Sequence, residues 1–317
     1  MLQFVAKRSL LALLILFLAV TLMFGMIHMM PGDPASVMLG PKASPELKAE
    51  FAERMGLNDP FVVQLGNFYA NVVRGDLGVD VFTEREVTDI VFEQLPYTIA
   101  LVLAAIGGAS LLGIPLGCFS AIRRNSLLDR ITGVISVAFI AIPSFVVALY
   151  LLLLLAVKWR WFPAMGAGED GDIADQLHHL VLPAIALGLG WVGYIARLVR
   201  ASMLEVLEAS HIRTARAFGL PERTIITHYA LRIAVLPTVT ILGLGIGTML
   251  SGALFAEIVF SRPGIGKLLH EAVVTRNYPV VMGSVLVTTS FFVLCTLLAD
   301  TINAALDPRL RDEGNHS

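Results

Sequence analysis

Six arginines fall between Arg197 and Pro237, namely Arg197, Arg200, Arg213, Arg216, Arg223 and Arg232. They occupy the one long polar interruption between apolar segments that is also rich in arginine. Permanently charged guanidinium groups in this setting suit docking against acids, with a membrane-surface or solvated basic face as the alternative. Groups suited to covalent chemistry are sparse. No Gly-x-x-x-x-Gly-Lys-Ser/Thr phosphate loop occurs, so the chain cannot bind ATP by that means. No Ser/His/Asp, paired-carboxylate or His-Glu-x-x-His arrangement appears in the apolar segments, which weighs against an enzyme. His178 and His179 are adjacent, so on a helix they point about 100° apart and cannot readily chelate one ion. They read, like His28, as interfacial or packed histidines. Cys118 and Cys295 lie in apolar runs without a partner motif and read as small buried hydrophobes. Glu257 stands near the end of an apolar segment, where an acid faces protein or water. A functional role and a structural pairing with Arg262 or Lys267 both remain open for it.

These residues must be positioned by membrane helices. The chain has 317 residues, of which 56% are hydrophobic and 15% charged, and its mean hydropathy is +0.77. That lies well outside soluble composition. The net charge of −2 hides a segregation of signs along the chain. Lys7 and Arg8 precede an apolar run of 21 positions from Leu10 to Met30, too long for a signal-peptide core and without a small-residue cleavage site. It predicts an uncleaved first span. Further spans are expected at Tyr97 to Ile122, Ile131 to Val157, Leu180 to Ala196, Ala234 to Phe260 and Val281 to Ala305. The inner segments then hold 2, 3, 6 and 2 basic residues, 13 of the 23. Six spans with both termini cytoplasmic satisfy length and charge together.

Between the first two spans, Pro31-Gly32-Asp33-Pro34 breaks the helix and an acidic outer segment follows to Pro96. Ser44-Pro45-Glu46 is a cap and first turn for a short helix stopped at Gly56. A second helix is expected over Pro60 to Val73, with Phe61, Leu65, Phe68 and Val72 near one face. A turn at Gly75-Asp76-Leu77-Gly78 and a third helix over Thr83 to Gln94 complete the segment. It is either a folded cap or a landing surface for a soluble binding protein. Gly107, Gly108 and Gly113 offer small surfaces for close helix packing. Ile142-Pro143-Ser144 interrupts the third span, freeing a carbonyl that only protein or a water-lined path tolerates, so that pore lining and a plain kink are both open there. Gly243, Gly245, Gly247 and Gly252 suggest tight packing or hinging around a path in the fifth. Pro143, Ser144, Gly247, Ser251 and Glu257 are the candidate path residues. Trp159 and Trp161 form an aromatic belt.

In the arginine-rich stretch no glycine or proline interrupts Leu198 to Phe218. Gly219 then provides a stop, Pro221 a first helical position and Glu222 an acid in the following first turn. The expected form is helix, corner, helix, facing the cytoplasm.

The run Arg213-Thr214-Ala215-Arg216-Ala217-Phe218-Gly219-Leu220, with Glu205 to Ser210 before it and Ala230 to Pro237 after, resembles the EAA loop of ABC importer permeases. The form is that of the dipeptide/oligopeptide/nickel group, since Arg213 stands where the general pattern has glutamate. Leu236-Pro237 is displaced from the usual terminal Leu-Pro. Pro31-Gly32-Asp33-Pro34, Gly75-Asp76-Leu77-Gly78, Leu180 to Pro183, the run from Tyr194 and Val259-Phe260-Ser261-Arg262-Pro263-Gly264-Ile265-Gly266-Lys267 also look like that group. The resemblance implies an all-α integral membrane fold of the type I importer (MetI-like) class, with residues 97–305 as its core. Residues 1–96 are then the extra span and periplasmic helical cap, and residues 306–317 a cytoplasmic tail. It implies a bacterial inner-membrane permease, paired with a second permease subunit, two cytoplasmic ATP-binding subunits and an extracytoplasmic binding protein. No cofactor and no nucleic-acid partner is implied. Coupling to the ATPase falls to Glu208, Ala209, Arg213, Thr214, Ala215, Arg216 and Gly219. Peptides are the expected cargo, with nickel, opines, glutathione and oligosaccharides as alternatives. An ion-coupled secondary carrier is the competing class, but charges in the spans are almost absent and the basic loop would have no task.

Overall fold

The computed structural model describes residues 2–29, 43–54 and 58–306. The expected break at Pro31 to Pro34, the Gly56 stop and the tail from Asp307 lie outside those residues. Described elements are helical, apart from one isolated antiparallel bridge between Val79 and Glu86. In chain order they are α1 (Leu2–Met29), α2 (Pro45–Arg54), α3 (Phe61–Val73), α4 (Val87–Ile122), α5 (Leu127–Ala141) and α6 (Ser144–Leu151), which runs into a π-helical turn over Leu152–Lys158. Then come α7 (Ile173–Glu208), α8 (Ser210–Ala217), α9 (Glu222–Thr224), a π-helical stretch Ile225–Ala230, α10 (Leu231–Ala234), α11 (Leu236–Val259), α12 (Ile265–Val274) and α13 (Tyr278–Leu306). Among the described residues five helices are long and apolar enough to cross a membrane, and six if α5 and α6 count as one span.

The expected third span is not a kinked rod. At Ile142 and Pro143 the chain turns so that α5 and α6 meet at 98°. Pro143 has no N–H to donate to the Phe139 carbonyl, and its backbone is extended just before α6, at φ −59° and ψ 140°. Other differences concern helix limits. The helix expected over Thr83 to Gln94 starts at Val87 and continues without a break into the second span, passing through Pro96 and Pro115. The fourth span is part of a helix of 36 residues that passes through Pro183.

Close approach holds the helices together, because lipid offers no hydrophobic drive for association between spans. A Cβ on Gly113 would stand 2.9 Å from the Cβ of Ile195, one on Gly188 2.7 Å from the carbonyl oxygen of Ala105, and one on Gly117 would overlap the Ala196 carbonyl. α4 and α7 therefore pack backbone to backbone. Gly193 does the same for α5, 2.5 Å from the Ser136 oxygen. Gly107 and Gly108 make no such contact within this chain: no described atom lies within 4 Å of a Cβ on either. In α11 the glycines are packing positions. Cβ atoms on Gly243 and Gly247 would overlap Ala299 and Phe292 of α13, while those on Gly245 and Gly252 would press on Trp191 and Leu187 of α7.

The acidic segment is tied into the helical core. Ser44 accepts the Leu47 N–H at 3.2 Å, capping α2 as expected. Phe68 and Tyr69 of α3 pack on α1, with Tyr69 stacked on Phe17 at 5.1 Å and its hydroxyl donating to the Phe17 carbonyl at 2.8 Å. At the Gly75 to Gly78 turn both glycines have positive φ, 83° and 90°. The turn delivers Leu77 into a cluster with Val20, Val87, Val91, Val280 and Val281. Asp80 accepts from Asn277 across the chain. Burial pushes its carboxyl up, but hydrogen bonds from Thr83, the Phe82 N–H and Asn277 outweigh this and hold it below the ordinary carboxylate value.

Candidate functional site

At 1.5 Å per residue α7 is about 54 Å long, against a hydrocarbon core of about 30 Å. Its C-terminal turns therefore project beyond the membrane and carry the arginine-rich stretch. The expected single helix from Leu198 to Phe218 is interrupted: Ala209 takes φ −67° and ψ 153°, and α8 starts anew at Ser210. No glycine or proline marks the break because tertiary packing causes it. By turning there, α8 lays Ile212 and Ala215 on Met203, Ile225 and Ala230, where a straight helix would have carried them into solvent.

Gly219 has φ +76°, in the region an L side chain disfavours, and a Cβ there would meet nothing within 4 Å. The glycine is required by its backbone angle and not by crowding inside this chain. Pro221 sits one position earlier than expected, as the residue before the first helical position, Glu222. Glu222 accepts from Arg216 at 2.7 Å, and Glu208, the last residue of α7, accepts from Arg124 at 2.9 Å. Thr214 donates to the Ser210 carbonyl at 3.1 Å. Of the seven expected coupling residues, Ala215 thus faces the core and Glu208 and Arg216 are engaged within the chain. Arg213, Thr214 and Gly219 stay exposed, and so does Phe218, with 83% of its surface open at the tip.

A polar cluster lies beneath this element. The Asp129 carboxylate accepts from Arg200 Nε at 2.6 Å and Nη2 at 2.8 Å, from the Asn125 N–H at 2.9 Å and from the buried Ser120 hydroxyl. One acid joins the end of α4, the start of α5 and the projecting part of α7.

At the other end of α11, Glu257 is fully buried. Neither Arg262 nor Lys267 pairs with it through a side chain. Its carboxylate accepts from the Thr98 hydroxyl at 2.6 Å and the Lys267 N–H at 2.9 Å, while Thr98 also accepts from the Ile265 N–H at 2.9 Å. A Cβ on Gly264 would overlap the carboxyl carbon, and one on Gly266 would stand 2.6 Å from the Leu254 Cα. The Pro-Gly-x-Gly turn is a glycine-walled cradle for this acid, fixing α12 to α4 and α11. The Arg262 guanidinium lies over the Tyr97 ring, 5.8 Å from its centroid.

Two cavities flank α11. One, of about 330 Å³, is lined by Ser144, Val147, Gly190, Trp191, Tyr194 and Gly252 among others. The other, of about 780 Å³, is lined by Thr98, Gly247, Ser251, Thr288, Thr289 and Phe292 among others. Thr248 borders both. The candidate path residues are therefore divided: Ser144 faces one cavity, Gly247 and Ser251 the other, and Glu257 and Pro143 border neither. His178 and His179 are satisfied separately, by the carbonyls of Trp161 at 3.1 Å and Asp175 at 2.9 Å.

Residues 113–312 match the profile described as the binding-protein-dependent transport system inner membrane component, and residues 1–102 match its N-terminal companion. The chain belongs to this family of ABC importer permeases. The permease is 35% identical to a dipeptide transport system permease protein of Alkalihalophilus pseudofirmus, over 98% of this chain and 100% of the relative. It is 36% identical to the Escherichia coli dipeptide permease, over 98% and 99%. It is also 34% identical to a glutathione transport system permease protein of Shigella flexneri, again over 98% and 99%. Among solved structures, an inward-facing MetNI methionine ABC transporter shares the fold with a TM-score of 0.57 at 21% identity, over 68% of this chain and 95% of that one. The all-α MetI-like architecture is thus common to both.

Sequence reasoning did not single out Asp129 or Thr98 in the permease. Asp129 carries a signal in retrospect, as a lone acid three residues after a helix-capping serine in an otherwise basic loop. Thr98 carries none, since a threonine in an apolar helix is ordinary. Phe218 lay inside the quoted motif, and only its exposure distinguishes it from a core residue.

Proposed function

We propose that this permease forms half of the translocation pathway of an ATP-driven importer of dipeptides or oligopeptides. It pairs with a second permease of similar sequence, two cytoplasmic ATPase subunits and an extracytoplasmic binding protein. The observation that carries the coupling role is the position of α8: a short helix held beyond the end of a span, its apolar side packed inward and Arg213 and Phe218 left open. A rigid, exposed helix tip with one large aromatic suits insertion into a partner's cleft. The names of relatives spanning the whole chain, for dipeptides and for glutathione, support a peptide-bonded cargo. On this reading the termini and α8 are cytoplasmic, and residues 1–96, 97–305 and 306–317 are the N-terminal unit, the permease core and the tail. Movement of α11 against α7 and α13, with the two cavities on its flanks, opens the path.

The test is uptake of a labelled dipeptide by proteoliposomes holding the complete complex. Import should require ATP, the binding protein and both ATPases. Import driven by an ion gradient with the ATPases omitted would overturn the proposal.

A further inference from the structure

Two supports hold the loop after α4 against α7. Arg124 reaches Glu208 at the tip of α7, but both side chains are exposed, so that pair contributes little. Asp129 is different: its side chain is only 6% exposed, and all the hydrogen bonds it can accept are made. The paired N–H groups of Arg200 approach it as a planar fork, which fixes direction as well as distance. Arg200 stands eight residues before Glu208, about 12 Å down the projecting end of α7 that carries α8. On the other side, α5 leads from Asp129 to the 98° bend at Pro143, about 21 Å away. Beyond the bend, Ser144 and Val147 line the smaller cavity.

We infer that the Asp129–Arg200 pair is a positioning element for transport, carrying displacement of α8 and the end of α7 into α5 and hence to the bend at Pro143. Gly193 brings the α7 backbone against the Ser136 carbonyl of α5 without a hydrogen bond, whereas the fork adds a charged link of fixed direction. α5 must follow α7 at this point. Without the fork the ATPase still docks and turns over, but its motion no longer reaches the cavity wall. The inference rests on α8 being the ATPase-docking helix.

The experiment compares Asp129→Asn, Arg200→Lys, Asp129→Asn/Arg200→Gln and Gly219→Val/Arg213→Glu in the reconstituted complex. It measures ATPase retention, thermal stability, ATP hydrolysis and dipeptide imported per ATP. Asp129→Asn and Arg200→Lys should retain the ATPases and hydrolyse ATP, yet import per ATP should fall about fivefold or more, the lower end of typical coupling between sites. Arg200→Lys keeps the charge and loses the fork, so it carries the test if Asp129→Asn fails to assemble. The Asp129/Arg200 double variant removes both charges and should regain stability without regaining import per ATP. Unchanged import per ATP in Arg200→Lys, or recovery of import together with stability in the double variant, would reduce the pair to a structural tie. If Gly219→Val/Arg213→Glu keeps both uptake and ATPase retention, the docking role of α8 itself fails.

Discussion

The clearest quantitative consequence concerns Gly219. Its φ of +76° is in the left-handed region, and the space where a Cβ would stand is empty. The Cβ of an alanine there meets no neighbour; the cost is conformational, about 1–2 kcal/mol for an L residue in that region. Valine, branched at Cβ, lies at the upper end. Asparagine tolerates this region and should cost little. If the corner must hold this geometry for α8 to enter its partner, the strain appears as weaker binding, about five- to thirtyfold in the dissociation constant. The assay is titration of detergent-solubilised permease with the ATPase subunits for wild type and for Gly219→Asn, Gly219→Ala and Gly219→Val. The expected order is asparagine near wild type, then alanine, then valine weakest. Equal loss in asparagine and valine would show that the partner requires the absence of a side chain there, and that φ is irrelevant. Unchanged binding in valine would show that this corner does not set the docking geometry.

Phe218 should behave as an anchor: with 83% of its surface open, Phe218→Ala should cost binding of the ATPase about 2 kcal/mol or more, with Phe218→Leu retaining most of it in the same titration. Gly247→Leu should impair folding and transport together, since its side chain would overlap Phe292, and Phe292→Ala in the same chain should restore part of both in a thermal-stability and uptake assay. Glu257→Ala leaves the Thr98 hydroxyl and the Lys267 N–H without their buried acceptor. It should destabilise the permease by about 2–5 kcal/mol, read as loss of folded protein on heating in detergent, with Glu257→Gln milder. A cysteine at exposed Glu50 should react with an impermeant thiol reagent from outside the cell; labelling only after lysis would invert the assigned orientation.

Much of the architecture was legible along the chain because its signals are one-dimensional. Apolar runs of membrane length, the segregation of basic residues and the Ser44 cap depend on composition and short spacing. Gly219 and the Gly75 to Gly78 turn are readable for the same reason: a positive φ selects glycine locally. The carboxylate clamp was half legible. The acid in an apolar helix and the Pro-Gly-x-Gly turn were visible as separate features, but not their third partner, Thr98, which stands 159 residues from the acid it binds.

The sequence by itself therefore determined a multi-span helical membrane protein with a structured basic element after its fourth apolar run. Only the tertiary structure decided where that element breaks, since Ala209 has no intrinsic reason to stop a helix until Ile212 and Ala215 find Met203 and Ile225 to cover them. It also decided which glycines pack. Gly113 lies under α7 and Gly107 lies open although they stand in the same helix, because small size permits close approach without selecting the neighbour. Asp129 and Arg200 show the same limit for charge: each alone reads as a solvated surface group, and a buried, directional pair exists only once α5 and α7 have met.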